Sequence, residues 1–373
     1  MKRSRIFKAT IPLLVATVFL TACGSKVTQP PATDSPAQEP TPMQPMAAVQ
    51  GTIWVADEEG NSITVIDAGT NQVLTTLAGV EGAHNLQVAP DGKTVWAVSG
   101  HDSLAIMLDA ATFEVHGVVP TGMMPAHIVL TPDGKKAYVS NGEDNTVTVI
   151  DVDAMSAIAT IPVGAYPHGL RVSPDGKWVY VANAKSTTLS VIDVARDVKT
   201  ADIEVGERPV QVGFSPDGMM IYFSLNGENA LGRAHVATGE LVGKVTVGAG
   251  PIQVFVTPDN RYVLVANQGT EETPSTTVSI VDVADFEVVA TVETGQGAHG
   301  VVIDPSSQYA YISNIYEDTV SVIDLGSLSV IATIPTGDAP NGISFSPLPA
   351  PADVPAEIQL EVPEADMMNM PMP

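Results

Sequence analysis

From residue 51 onward, apolar and polar positions alternate in short runs, and the runs themselves recur. His168-Gly-Leu-Arg-Val-Ser leads into Pro-Asp-Gly, then Trp178-Val-Tyr-Val-Ala-Asn183, Leu189-Ser-Val-Ile-Asp193 and Ile203-Glu-Val-Gly. A period of two over such short runs, punctuated by Asp-Gly and Asn-Gly signals, predicts half-buried strands joined by tight turns. Each group holds four strands.

The groups share one register. The prolines of the Pro-Asp-Gly turns and their relatives are Pro90, Pro132, Pro174, Pro216, Pro258, Pro305 and Pro347, in steps of 42 with a single 47. The Asp that closes Val-Ile-Asp follows the same lattice at Asp67, Asp109, Asp151, Asp193, Asp282 and Asp324. So does the column Asp57, Ser99, Asn141, Asn183, Leu225, Asn267 and Asn314, and all three share one insertion at 269–277. Four strands in a period near 42 predict propeller blades, because a solenoid coil is shorter and carries fewer strands. Seven proline markers predict seven blades.

Closure is legible as well. Extrapolated back from Pro90, the proline column falls on Ala48, where no strand is written. The first unit therefore starts at its second strand, Thr52-Ile-Trp-Val-Ala-Asp57. Its innermost strand comes from the far end, Asn341-Gly-Ile-Ser-Phe-Ser346. The expected fold is all-β: a seven-bladed β-propeller of four-stranded blades over 51–347, closed by pairing the C-terminal strand with the first blade.

Tyr138-Val-Ser-Asn, Tyr180-Val-Ala-Asn and Tyr311-Ile-Ser-Asn, each followed by a strand like Thr-Val-Thr-Val-Ile-Asp, resemble the YVTN-type β-propeller repeat. The resemblance implies an exported or surface protein of bacterial or archaeal type, and the family is also similar to haem d1 propellers. It specifies a fold more than an activity, since propellers host unrelated functions.

The flanks read differently. Lys2, Arg3, Arg5 and Lys8 precede an apolar run from Ile11 to Leu20, too short to span a bilayer and typical of an export signal over 1–22. It ends in Leu20-Thr21-Ala22-Cys23, which resembles a bacterial lipobox and implies cleavage before Cys23 and lipid, including palmitate-type acyl chains, on that residue. Two signals of lipid make attachment stable. Gly24 in place of Asp directs the expectation to the outer membrane of a two-membraned cell, otherwise to the outer face of the cytoplasmic membrane. Residues 23–50 form a proline-rich tether, and 348–373 are read as a disordered proline-rich, acidic, methionine-ending tail outside the fold.

Composition narrows the partners. With 17 Lys+Arg against 42 Asp+Glu, the formal charge is −25, which repels phosphate backbones and excludes nucleic acid as a partner. One cysteine excludes intrachain disulfides, Cys-based zinc sites and c-type haem attachment. No nucleophile elbow, phosphate loop or His-Glu-x-x-His is present, so the chain is read as a non-enzyme.

Two features carry candidate chemistry. Strand direction places the second-to-third and fourth-to-first loops on one face. That face holds Glu58, Glu59, Asp102, Glu143, Asp144, Glu228, Glu271, Glu272, Glu317 and Asp318, an acidic crown for a cation or a basic protein partner, or simply a solvated acidic surface. The position six before each marker proline opens the innermost strand and reads His84, Ala126, His168, Val210, Ile252, His299 and Asn341. His84, His168 and His299 are spaced nearly trigonally around the axis, a set that would hold copper or zinc; the alternative is imidazoles bonded to neighbouring backbone. His127 lies one step off, His101 and Met123 and Met124 lie in loops of the same face, and Met367, Met368, Met370 and Met372 crowd the tail as soft Cu(I) ligands. Three functions follow in order of preference. The first is a lipid-anchored envelope scaffold that binds without catalysis. The second is a copper or haem-d1-like redox or binding protein, and the third a metal-dependent lactonase or lyase.

Overall fold

The computed structural model of the chain describes residues 49–349 and 351–365. The export signal, Cys23, the tether through residue 48 and the terminal methionines lie outside the described residues.

Within them the chain forms seven sheets arranged as a propeller, each built on four antiparallel strands, with no helix. The inner strands of blades 2 to 7 are Ala83–Val88, Pro125–Leu130, Pro167–Val172, Pro209–Phe214, Pro251–Val256 and Ala298–Ile303. Each is followed by three strands stepping outward, in sequence order, so only hairpin connections are needed. Burial falls along that path. Second strands such as Thr52–Asp57 and Tyr309–Asn314 are buried at every position, whereas the outer strand Val198–Glu204 is almost wholly exposed. The second strands therefore read as continuous apolar runs packed on both faces.

The core lies between blades. Trp96, Val98 and Ala105 of blade 2 pack on Ile128, Leu130 and Val139 of blade 3, and the same arrangement recurs around the ring. The insertion at 269–277 lengthens one hairpin, Tyr262–Gly269 with Pro274–Asp282, and leaves the blade count unchanged.

Blade 1 is assembled from both ends of the propeller. Pro340–Ser346 pairs antiparallel with Thr52–Asp57, in the register Ile53↔Phe345, Trp54↔Ser344 and Val55↔Ile343. Ile343 joins Ile53, Val55 and Tyr311 in the cluster between blades 7 and 1. Without a disulfide, this pairing and this burial hold the ring shut.

The tail departs from expectation. Glu357–Gln359 adds a fifth strand to blade 1, parallel to its outer strand Gln72–Ala78, with Ile358 opposite Leu77. Thr76 donates to the Ala356 carbonyl at 3.0 Å and Leu360 to that of Ala78 at 2.9 Å. Leu360 is buried, and Leu348, Val354, Ile358 and Val362 pack on the cluster shared by blades 1 and 2. The unpaired edge of a blade is a template for another strand, and Ile358-Gln-Leu360-Glu-Val362 alternates as a strand should. Composition had masked a short amphipathic strand.

Candidate functional site

The face assignment follows from the hydrogen bonds. In every blade a second-to-third loop donates backbone N–H groups to the preceding connection, as in Glu58 to Ala339 (3.0 Å), Gly100 to Gly82 (2.9 Å), Gly142 to Met124 (2.9 Å) and Ala184 to Tyr166 (2.8 Å). Under these loops sits a repeated brace. Asn141 Nδ2 donates to the hydroxyls of Thr146 and Thr148, and its Oδ1 accepts from Gly122 N–H. Asn183 repeats the pattern, and Asn267 and Asn314 repeat its hydroxyl half. Blade 1 has Asp57 there, accepting from Ser62 and Thr64 at 3.0 and 2.8 Å. Burial, against those two bonds, pushes Asp57 up to about 7.

The acidic crown divides on inspection. Asp144 accepts from Met123 N–H, Glu228 from Glu207 N–H and from Lys244, Glu317 from Gln296 N–H, and Asp318 from Ala339 N–H. Asp102 accepts from the Ser99 hydroxyl. These carboxylates staple their own loops. Glu59, Glu143, Glu271 and Glu272 are exposed. His101 is exposed in the blade 2 loop, packed beside Gly82, and Met123 and Met124 are 56% and 46% exposed at the entry to blade 3.

Glu58 belongs elsewhere. Its Oε1 lies 3.2 Å from Nδ1 of His84 and its Oε2 accepts from Asn341 Nδ2 at 2.7 Å, so it faces the axis. Burial alone would raise its pKa, but the His84 imidazole and the Asn341 amide outweigh it and hold Glu58 down at about 2. In the repeat lattice the positions equivalent to 58 are Gly100, Gly142, Ala184, Asn226, Gln268 and Ile315. An acid standing alone in that column was the available signal.

At the axis three imidazoles converge, and they are His84, His127 and His168. One ligand atom from each lies within 4.8 Å of the others. Ring centroids are 5.8 Å apart for His84–His127, 5.4 Å for His84–His168 and 4.7 Å for His127–His168, and Nε2 of His84 is 3.4 Å from Nε2 of His168. The three come from consecutive blades, 2, 3 and 4, rather than from the trigonal set with His299. His299 is buried nearby, with Nδ1 unpartnered, but is not in the group.

A bulge explains the difference. Each inner strand breaks register with its second strand just after its first residue, between Pro125 and Ile128 in blade 3 and between Pro167 and Leu170 in blade 4. A bulge re-aims side chains, so strict alternation fails there and two successive positions reach the axis. The serine of the second strand fills the gap, Ser140 Oγ accepting from His127 N–H at 3.1 Å. Glycine at 169 leaves the room this needs, since a Cβ there would collide with the Gln211 amide.

The other ring nitrogens are held. Nδ1 of His84 faces Glu58, and Nδ1 of His168 lies 3.3 Å from the Val210 carbonyl. Nδ1 of His127 is 3.5 Å from the Gln211 amide, and its Nε2 is buried without a partner. Burial and then the neighbouring His84 push His168 and His299 down to about 3, and burial with His168 and His84 takes His127 well below its ordinary value. These imidazoles are neutral at neutral pH and offer lone pairs.

Comparison with known proteins agrees with this architecture. The sequence profile of the YNCE-like beta-propeller family matches residues 94–348. No curated protein matches the chain. Among solved structures it is similar to Kuenenia stuttgartiensis hydrazine synthase, with 26% identity over 73% of this chain and 91% of that one and a TM-score of 0.67. A functionally unknown protein from Desulfotomaculum acetoxidans DSM 771 shares 17% identity over 81% and 99% of the two chains, with a TM-score of 0.71. The dihydro-haem d1 dehydrogenase NirN shares 14% over 81% and 77%, with a TM-score of 0.60, which is a likeness of fold alone. With the family profile matching residues 94–348, the chain belongs to the YNCE-like β-propeller family.

Proposed function

We propose that this protein is a lipid-anchored envelope propeller that binds a transition-metal cation, copper or zinc, at its axis. The observation that carries the reading is the 3.4 Å between the Nε2 atoms of His84 and His168. Two imidazole nitrogens at ~2.1 Å from a tetrahedral ion stand ~3.4 Å apart. The same separation is long for a hydrogen bond. Nδ1 of His168 donates to the Val210 carbonyl, so its Nε2 presents a lone pair toward Nε2 of His84. A cation at this point takes that lone pair, with the buried His127 imidazole beside it. Carboxylate or carbonyl behind a ligating imidazole, as behind His84 and His168, is a usual second layer of a metal site.

Elemental analysis and calorimetric titration of the full chain with Cu(I), Cu(II) and Zn(II) test this. Stoichiometric uptake that His168→Ala abolishes is expected. Metal near zero in every case would remove the reading.

The acidic face supports a second reading, the docking of a basic protein partner. Glu59, Glu143, Glu271 and Glu272 carry exposed charge that no side chain neutralises among the described residues. Pull-down from envelope extracts, repeated with these four changed to glutamine, is its test; recovery of the same partners by both forms would reject it. We also propose attachment to the membrane through lipid on Cys23. Labelling with an alkyne fatty acid, lost in Cys23→Ser, is the expected result, and equal labelling of the two forms would refute it.

A further inference from the structure

The opposite mouth of the axial channel, on the side of the Pro-Asp-Gly turns, opens into a cavity of about 480 Å³. It is lined by Arg171 and Gln87 beside apolar walls that include Phe255, Val302 and Phe345. A cavity of this volume, with apolar walls and convergent polar groups, is of a size that holds small molecules.

Arg171 is the unexplained group in it. The other blades carry Gln87, Val129, Gly213, Phe255, Val302 and Ser344 at the equivalent position, none of them charged. In a chain of net charge −25, the one cation of this column has no carboxylate partner among the described residues. Among the described residues its guanidinium makes a single hydrogen bond, Nη1 to the Leu170 carbonyl at 3.1 Å, with five donors in all on the group. Burial pulls it down to about 10, with no opposing charge to offset the cost. The acids of the neighbouring turns are occupied elsewhere. Asp133, Asp175, Asp217 and Asp259 each accept from a hydroxyl of their own turn and from a backbone N–H two residues on.

Two more donors point to the same chemistry. Gln87 accepts the Leu130 N–H through Oε1, which leaves its Nε2 free to donate. Ser344 accepts the Val88 N–H, and its hydroxyl hydrogen remains to be given. A cavity with a guanidinium, an amide and a hydroxyl as donors, no acid, and aromatic and aliphatic walls is built for one negative head on an apolar body. A half-buried guanidinium binds a carboxylate with two parallel hydrogen bonds, a geometry that a neutral group cannot match.

We propose that this cavity is a binding site for an organic monocarboxylate with a compact apolar body, its carboxylate on Arg171 and its body against Phe255, Val302 and Phe345. None of the three imidazoles lines this cavity, although the Arg171 charge is near enough to help lower His127.

The test is titration of the full chain in detergent with phenylacetate and 4-methylvalerate, their primary amides, and inorganic phosphate. A chelator is present throughout, so that a carboxylate cannot report an ion held by the histidines. Each acid should bind about tenfold to a hundredfold tighter than its amide, as loss of a charge-assisted bond predicts. Phosphate, lacking the apolar body, should bind weaker than either acid. Arg171→Met should erase the preference for acid over amide, and Arg171→Lys should keep most of it. Equal binding of acid and amide, absence of binding by both acids at millimolar concentration, or phosphate binding tighter than the acids would overturn the proposal. So would an Arg171→Met protein that melts lower yet keeps the acid preference, because the arginine would then serve packing alone.

Discussion

Asp57 offers a test of the repeat logic in energetic terms. It occupies the slot where four other blades use asparagine, with no solvent exposure, and its Oδ1 has no partner. Burial lifts it from 3.8 to about 7, against the hydroxyls of Thr64 and Ser62 that favour the charged form. In the unfolded chain the carboxyl loses its proton near 3.8, while in the fold it keeps it to about 7. Between those values the folded state binds more protons, so stability falls as pH rises and levels off above 7. At 1.36 kcal/mol per unit, a shift of about 3 units corresponds to about 4 kcal/mol, taken as an upper bound. Asp57→Asn removes this dependence and installs the amide that donates to paired hydroxyls in blades 3, 4, 6 and 7. Denaturant unfolding of both proteins at intervals from pH 4 to pH 8 isolates the effect, because every other titrating group cancels in the difference. The variant should match the wild type near pH 4 and exceed it by a few kcal/mol at pH 8, equivalent to roughly 10 °C in midpoint. A difference that stays constant with pH, or a variant less stable at pH 8, would refute the reasoning.

Other consequences are equally direct. Ending the chain after Ala350 should lower the thermal midpoint, because removing Ile358 and Leu360 uncovers Leu77 and costs roughly 3 kcal/mol of burial; an unchanged melt would mean the fifth strand contributes nothing. Ending it after Gly337 also removes the inner strand of blade 1, and the cooperative transition itself should be lost in calorimetry. His127→Ala should abolish stoichiometric metal uptake, whereas His299→Ala should leave it nearly intact; the reverse order would restore the trigonal arrangement. Glu58→Gln should weaken metal affinity about tenfold to a hundredfold by loosening the His84 imidazole, read by competition with a chromophoric chelator.

How much of the site was legible depends on the range of the forces involved. His84 and His168 were found because one lattice column maps onto one ring of the channel. His127 stood one step off that column as a secondary candidate, because alternation assigns it to the other side of its strand, and the bulge that reverses the assignment is a matter of pairing between strands. Glu58 was counted with the surface acids, though only the closing strand, which brings Asn341 beside it, makes it an axial residue. Arg171 passed unnoticed because a single arginine in a strand is unremarkable until six other blades surround it.

The sequence alone determined the blade count, the strands within each blade, the face on which each loop lies and the strand that closes the ring. These follow from a period of two within strands and 42 between them, and both are properties of the chain read locally. The tertiary structure decided which histidines meet, which acids are staples rather than surface, and where the tail goes. Those outcomes depend on bulges, on the narrowness of the axis and on an open sheet edge at blade 1, none of which exists until all seven blades are packed.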